Sequence, residues 1–129
     1  SMVPVMSEAK VNGKKIGDFL SQEILDAVVE RTKNGGVEIV NLLKTGSAYF
    51  APGISIMEMT RAVLRDEKKI LPCAAYLNGE YGVQGIFIGV PVILGKQGVE
   101  KIVEIPLTDN EKQAFQKTVM HVQGLVESL

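Results

Sequence analysis

The fold is decided by residues 38–64, which read EIVNLLKTGSAYFAPGISIMEMTRAVL. This stretch combines the end of one helix, a polar junction at 44–48 and the start of a second helix. Gly46 suits the position just after a helix C-terminus, because glycine adopts a positive φ without strain. Pro52 suits the first turn of the second helix, where a missing backbone N–H costs little. The sequence therefore predicts a helix–turn–helix corner that presents small and hydroxyl side chains.

A long helix is predicted before this corner, over residues 22–44, with Ser21 as its N-cap. Its apolar positions keep one helical phase through Gly35 and Gly36, so the helix is expected to continue across both glycines. Each glycine costs about 1 kcal/mol relative to alanine in a helix, and close approach of another backbone at Gly36 is the expected compensation. A helix break at this glycine pair is the alternative. The predicted inward positions are Leu25, Val28, Val29, Thr32, Ile39, Val40 and Leu43.

The helix after the corner is predicted to run to Leu64, where the charged residues 65–69 end it. Its predicted inward positions follow helical spacing and are Gly53, Ile56, Met57, Thr60, Val63 and Leu64. A final helix is predicted to open at Thr108, with Glu111 completing a capping box. Its predicted buried stripe is Phe115, Val119, Val122, Val126 and Leu129. His121 lies on the flank of that stripe and is expected at the surface.

The remaining segments predict β-structure. Residues 2–16 are expected to form a hairpin, because Asn12 and Gly13 supply the two positive φ angles of a type I′ turn. Pro4 fits only the start or the edge of a strand. Three β-rich runs follow the second helix and predict an antiparallel meander. These runs are 70–77, 86–94 and 99–107.

The second and third of these runs are expected to occupy different positions in the sheet. The run 86–94 contains no polar residue, so it is expected to be the central strand, covered on both faces. Pro106 marks the run 99–107 as an edge. The predicted fold class is therefore α+β, with long helices packed on a twisted antiparallel sheet.

Composition narrows the class of protein. The chain has 129 residues, is 46% hydrophobic and 22% charged, and carries a net charge of −1. These values predict one domain over 1–129, and they give no basis for nucleic-acid or membrane binding. Cys73 is the single cysteine, so an internal disulfide and a multi-cysteine zinc site are excluded, and a buried thiol in a reducing, cytoplasmic setting is expected. No catalytic pair and no metal-ligand motif is recognisable, so we assign no catalytic residue and no metal.

Five ordered segments resemble the C-terminal, substrate-binding half of malate dehydrogenases in the lactate/malate dehydrogenase superfamily. The opening MVPV resembles the segment that follows the family's His-Gly-Asp catalytic triplet. Residues 26–52 resemble its long helix and substrate corner, and CAAYLNGEYG at 73–82 resembles its strand and turn. The last two matches are GVPV at 89–92 and GVEK at 98–101.

The resemblance implies that this chain and an N-terminal domain each contribute part of the active site. An N-terminal Rossmann domain, absent from this chain, would bind NAD, and the proton-transferring histidine would lie three residues before Ser1. This chain would contribute Ser47 and Ala48 to substrate binding and Pro52 to cofactor binding, as one wall of the site. The parent enzyme would interconvert malate and oxaloacetate in the tricarboxylic acid cycle as a homo-oligomer, with helix 22–44 as a subunit contact. The 129-residue chain alone would be inactive.

Alternatives remain at this stage. A lactate dehydrogenase of the same superfamily is one, although Ala48 matches a position that is commonly threonine in those enzymes. A non-catalytic interaction module is another. Each site residue also has a purely structural explanation, with Ser47 as a helix cap and Pro52 as a first-turn proline.

Overall fold

The computed structural model describes residues 2–129, and its elements follow the predicted order. A short hairpin, β1 (Lys10–Val11) and β2 (Lys14–Lys15), precedes helix α1 (Gln22–Leu43) and helix α2 (Phe50–Leu64). Strands β3 (Lys69–Asn78), β4 (Gln84–Gly95) and β5 (Gly98–Ile102) lead to helix α3 (Asp109–Glu127). Turns of 3-10 helix lie at Met6–Glu8, Ile16–Asp18 and Glu80–Gly82.

The chain divides into two compact units, which are described separately. The first comprises 1–48 and 107–118, and the second comprises 49–106 and 119–129. Helix α3 thus contributes its first half to one unit and its second half to the other. The expectation of a single domain stays a prediction.

In the first unit, α1 continues through Gly35 and Gly36, so the prediction of one helix is confirmed and the alternative of a break is wrong. Arg31 and Glu38 flank the glycine pair and form a two-pronged ion pair, with Nη2 3.0 Å from Oε1 and Nε 3.2 Å from Oε2. Because both side chains are exposed to solvent, the pair contributes little to stability. Its position across the glycines supports the helix where its intrinsic propensity is lowest.

The predicted inward face of α1 is largely wrong for this chain. Leu25 is buried, but Val28, Ile39 and Leu43 are exposed, because no other apolar element of the described residues covers the stripe. A Cβ added at Gly36 meets no atom within 4 Å among residues 2–129. No second backbone within the described residues approaches Gly36, and an approach by another polypeptide stays a prediction.

The hairpin prediction is confirmed at its turn, since Asn12 and Gly13 have φ of 51° and 81°. The strands are only two residues long, with Val11 paired to Lys14. Pro4 lies in an irregular segment and not at a strand edge. Ser21 occupies the N-cap position of α1, but its side chain makes no capping hydrogen bond.

The second unit contains the predicted antiparallel meander, in the order β3-β4-β5 with β4 in the centre. Burial alternates along β4, so one face of the strand is buried while Phe87 on the other is 65% exposed. The expectation that β4 is covered on both faces is therefore wrong, because the described residues place apolar side chains against one face only. The residues buried on that face are Cys73, Ala75 and Leu77 of β3 and Ile86, Ile88, Val90, Val92 and Leu94 of β4.

Helix α2 lies against β4 in the same unit. Its fully buried residue is Ala62, whereas Ile56, Met57 and Leu64 of the predicted inward face are exposed. The prediction of that face is thus wrong, because large apolar side chains at these positions stay uncovered in the described residues. Cys73 is buried as predicted, and burial raises the pKa of its thiol.

The third predicted strand is shorter than its β-rich run, since β5 ends at Ile102. One further ladder bond follows, in which the Val103 N–H donates to the Pro91 carbonyl at 2.8 Å. The Tyr81 hydroxyl then holds the departing chain, because it donates to the Val103 carbonyl at 2.8 Å and accepts from the Ile105 N–H at 2.9 Å. Side-chain bonds therefore replace the strand ladder where the chain leaves the sheet.

Helix α3 begins as predicted. The Thr108 N–H donates to Glu111 Oε2 at 2.8 Å, and the Glu111 N–H donates to Thr108 Oγ1 at 3.4 Å, which is the expected capping box. Phe115 and Val119 are buried, but the stripe does not continue, since Val126 and Leu129 are exposed. His121 is exposed, as predicted.

Candidate functional site

The corner between α1 and α2 is built on a tight reversal of the backbone. Helix α1 ends at Leu43, and Lys44 has φ 62° and ψ −35°. The Thr45 N–H donates to the Leu43 carbonyl at 2.7 Å, so Lys44 is the centre of a γ-turn. A non-glycine residue in this conformation is strained by about 1 kcal/mol or more. The chain therefore leaves α1 abruptly, with no further helical turn before the junction.

Gly46 does not occupy the position predicted for it, directly after the end of α1. Gly46 has φ 92°, but it lies beyond the residue that ends the helix. The residue that turns the chain at the end of α1 is Lys44, so the prediction of a glycine C-terminal cap is wrong. Sequence reasoning missed Lys44 because lysine carries no signal for positive φ.

Ser47 and Ala48 are the last residues of the first chain segment in the first unit. Ser47 is exposed and Ala48 is half-buried. Within residues 2–129, the Ser47 hydroxyl has no hydrogen-bond partner, and the N-cap residue of α2 is Tyr49, which makes no side-chain capping bond. The structural explanation of Ser47 as a helix cap is therefore wrong. Its hydroxyl is available to a ligand.

Pro52 belongs to the second unit, as the third residue of α2. Its ring is exposed, and its missing N–H is one that an α-helix leaves unpaired in its first turn. The first backbone bond of the helix runs from the Gly53 N–H to the Tyr49 carbonyl at 2.9 Å. The prediction of a first-turn proline is confirmed, and the exposed ring offers an apolar surface.

Aromatic and aliphatic side chains accompany Pro52 on α2. Phe50 is 78% exposed, and its ring centroid lies 4.7 Å from that of Tyr49. Ile54 and Met57 follow at one-turn spacings and are also exposed. A helix that exposes this much apolar surface is typical of a face that another structural element or ligand covers.

No group of three or more His, Cys, Asp or Glu side chains in residues 2–129 is arranged to bind a metal ion. In the same residues, no helix has the length and apolar character to span a bilayer. In the first unit the corner offers the Ser47 hydroxyl and the Ala48 methyl group, and in the second unit it offers the Pro52 ring and the aromatic rings before it.

Comparison with known proteins agrees with this description. The sequence model of one protein family, the lactate/malate dehydrogenase alpha/beta C-terminal domain, matches residues 1–127 of this chain. A malate dehydrogenase from Methylobacterium radiotolerans is 52% identical over 132 residues, which cover 98% of this chain and 41% of that protein. The malate dehydrogenase structure from Salinibacter ruber is 44% identical with a TM-score of 0.93, over 97% of this chain and 41% of that one. The lactate dehydrogenase structure from Cryptosporidium parvum is 38% identical with a TM-score of 0.95, over 98% and 44%.

The α+β fold with its helix corner and antiparallel meander is thus that of a dehydrogenase C-terminal domain. The chain belongs to the lactate/malate dehydrogenase family. It spans about two-fifths of the length of the relatives it matches (41% of the Methylobacterium radiotolerans protein). The resemblance inferred from the sequence and the predicted fold class are both confirmed.

Proposed function

We propose that this chain is the substrate-side domain of an NAD-dependent malate dehydrogenase, which interconverts malate and oxaloacetate by hydride transfer. The observation that carries the proposal is the corner at 44–52, where an unpartnered serine hydroxyl, a small alanine and an exposed proline ring follow one another. Relatives that match nearly the whole chain are malate dehydrogenases, at 52% and 44% identity.

The roles at the corner follow from size and polarity. Ala48 has only a methyl group, so it leaves room for the second carboxylate that distinguishes oxaloacetate from pyruvate. The Ser47 hydroxyl donates a hydrogen bond to the substrate, since it has no partner within residues 2–129. The fit to nicotinamide rests on Pro52, whose exposed, uncharged ring favours the neutral reduced nicotinamide over the cation. When bound, NAD would itself accept the hydride.

The remaining parts of the reaction belong to the rest of the polypeptide. In this proposal the proton-transferring histidine lies three residues before Ser1, and an N-terminal domain binds most of NAD. The 129-residue chain orients one side of the substrate and excludes water from it. It therefore does not turn over malate alone.

The test compares the complete polypeptide with the 129-residue chain, both supplied with malate and NAD. We expect NADH formation by the complete polypeptide and none by the chain alone. NADH formation by the pure chain, or its absence from a folded complete polypeptide, would contradict the proposal.

A lactate dehydrogenase is the second candidate. It is favoured by the Cryptosporidium parvum lactate dehydrogenase structure, which matches this chain with a TM-score of 0.95. Assaying the complete polypeptide with oxaloacetate and with pyruvate separates the two. The proposed function requires the higher kcat/KM for oxaloacetate.

Self-association and location are part of the same proposal. The exposed stripe of α1 includes Val28, Ile39 and Leu43, and contact with a second copy of the protein would bury it. The cytoplasm is the proposed location, on the basis of the single, buried cysteine. Sedimentation velocity of the complete polypeptide tests the association, and a monomer at all concentrations would contradict it.

A further inference from the structure

The carboxylate of Glu111 joins two parts of the first unit that are far apart in sequence. Its Oε1 accepts from the Ser7 N–H at 3.1 Å, and its Oε2 accepts from the Ser7 hydroxyl at 2.8 Å. Oε2 also accepts from the Thr108 N–H and hydroxyl, both at 2.8 Å. One side chain therefore holds both the start of α3 and a residue 104 positions earlier in the chain.

The bonds to Ser7 exceed what the helix needs. A capping box requires only the reciprocal bonds between Thr108 and Glu111, and these are already made. The two bonds from Ser7 instead hold the 3-10 turn Met6–Glu8, where the Ala9 N–H donates to the Met6 carbonyl at 3.2 Å. The contact is thus a tether between the N-terminal segment 2–8 and α3.

The tether persists at neutral pH. Partial burial disfavours the charged form of Glu111, but the hydrogen bonds from Thr108 and Ser7 outweigh it and lower the pKa of the carboxyl to about 2. An ionised carboxylate accepts hydrogen bonds that are roughly twice as strong as neutral ones. Segment 2–8 is therefore held to α3 throughout the pH range in which dehydrogenases are assayed.

We infer that Glu111 and Ser7 are positioning residues, which fix the backbone leading back to the proton-transferring histidine. The inference rests on the proposed function, because that function places the histidine three residues before Ser1. Segment 2–8 is then the direct continuation of the catalytic loop. Tethering its far end to α3 limits the positions that the histidine can take.

The test uses the complete polypeptide with Ser7→Ala, which removes the hydroxyl bond to Glu111 but leaves the capping box intact. Ser7→Thr keeps a hydroxyl and serves as the conservative rescue. Ser128→Ala is the matched control, since it also removes a serine hydroxyl bond, to the Leu125 carbonyl at 2.7 Å near the end of α3. Malate oxidation is measured against pH for each variant.

For Ser7→Ala we expect kcat to fall roughly three- to tenfold with an unchanged KM for malate, because misplacement of a catalytic group affects the chemical step. The acid limb of the kcat/KM profile should move to lower pH, because a displaced histidine loses part of the stabilisation that its hydrogen-bond partner gives to the imidazolium. Partial unfolding would lower the activity without moving this limb. Ser7→Thr should restore both values, and Ser128→Ala should change neither.

Two results have different meanings. A wild-type polypeptide that does not oxidise malate would refute the proposed function itself. If the wild type is active and Ser7→Ala retains both its kcat and its pH profile, the positioning role is overturned while the proposed function stands.

Discussion

Replacing Tyr81 by phenylalanine tests the contact that ends the sheet. The Tyr81 hydroxyl donates to the Val103 carbonyl at 2.8 Å and accepts from the Ile105 N–H at 2.9 Å. The substitution leaves the ring in place but removes both partners of these part-buried backbone groups. Each lost bond costs about 1 kcal/mol, so the free energy of unfolding should fall by about 1–3 kcal/mol.

The conformation of Tyr81 indicates why its hydroxyl contributes this much. Its φ is 54°, in the left-handed region that a tyrosine rarely occupies. Its own N–H donates to Glu104 Oε1 at 2.6 Å. Three bonds to the chain segment at 103–105 thus offset the strain, and removing two of them leaves the strained turn less supported.

Urea denaturation of the wild type and the variant measures the loss. Tyr49→Phe is the matched control, because Tyr49 is 61% exposed and its hydroxyl has no hydrogen-bond partner in the described part of the chain. Amide hydrogen exchange should show loss of protection at Ile105 in Tyr81→Phe only. Equal stability of the two variants, with Ile105 still protected, would refute the reasoning.

Three further predictions concern the helices. Gly36→Ala should stabilise the 129-residue chain against urea by about 1 kcal/mol, because the position is helical and open. A destabilised chain would contradict this expectation. The same change should weaken self-association if a second copy packs at Gly36. Lys44→Gly should also stabilise the chain, by about 1 kcal/mol, since glycine relieves the strain of φ 62°; no gain in thermal unfolding would refute the strain. Glu111→Gln should make the free energy of unfolding less dependent on pH in the acid range. The folded pKa of Glu111, about 2, lies below the unfolded value of about 4.3, so the carboxylate stabilises the protein above about pH 5. Roughly 2 kcal/mol of this stabilisation is lost as the pH falls toward 2. Identical acid unfolding curves for wild type and Glu111→Gln would contradict it.

Much of the secondary structure follows from local signals in the sequence. The capping box of Thr108 and Glu111 fixed the start of α3, and the Asn12-Gly13 pair fixed the turn of the hairpin. The helical phase that continues through Gly35 and Gly36 predicted α1 correctly. These signals act within a few residues, so a single sequence contains them in full.

What the sequence could not predict depends on distant partners. The inward faces of α1 and α2 were derived from periodicity, which identifies an apolar stripe but not what covers it. In residues 2–129 nothing covers Ile39 or Met57, and both are exposed. The chain spans 41% of the length of its Methylobacterium radiotolerans relative, and the proposed function assigns the covering of these stripes to the rest of the polypeptide and to a second copy.

Two contacts carried no sequence signal beyond their residue types. Ser7 and Glu111 are separated by 104 positions, and the Tyr81 hydroxyl bonds to residues 22 and 24 positions later in the chain. For the candidate site, family resemblance predicts Ser47, Ala48 and Pro52, and these assignments stay predictions. The structure adds that Ser47 caps no helix and that Lys44, rather than Gly46, turns the chain.

The central proposal is that Ala48 leaves room for the second carboxylate of a dicarboxylate substrate, and one substitution tests it most directly. In the complete polypeptide, Ala48→Thr fills the space assigned to the second carboxylate, and kcat/KM is measured with NADH for both oxaloacetate and pyruvate. We predict a fall of about tenfold or more for oxaloacetate, since a change of one or two heavy atoms in a pocket alters discrimination by about 10- to 200-fold, with little change for pyruvate. Unaltered kcat/KM values for both substrates would contradict the claim.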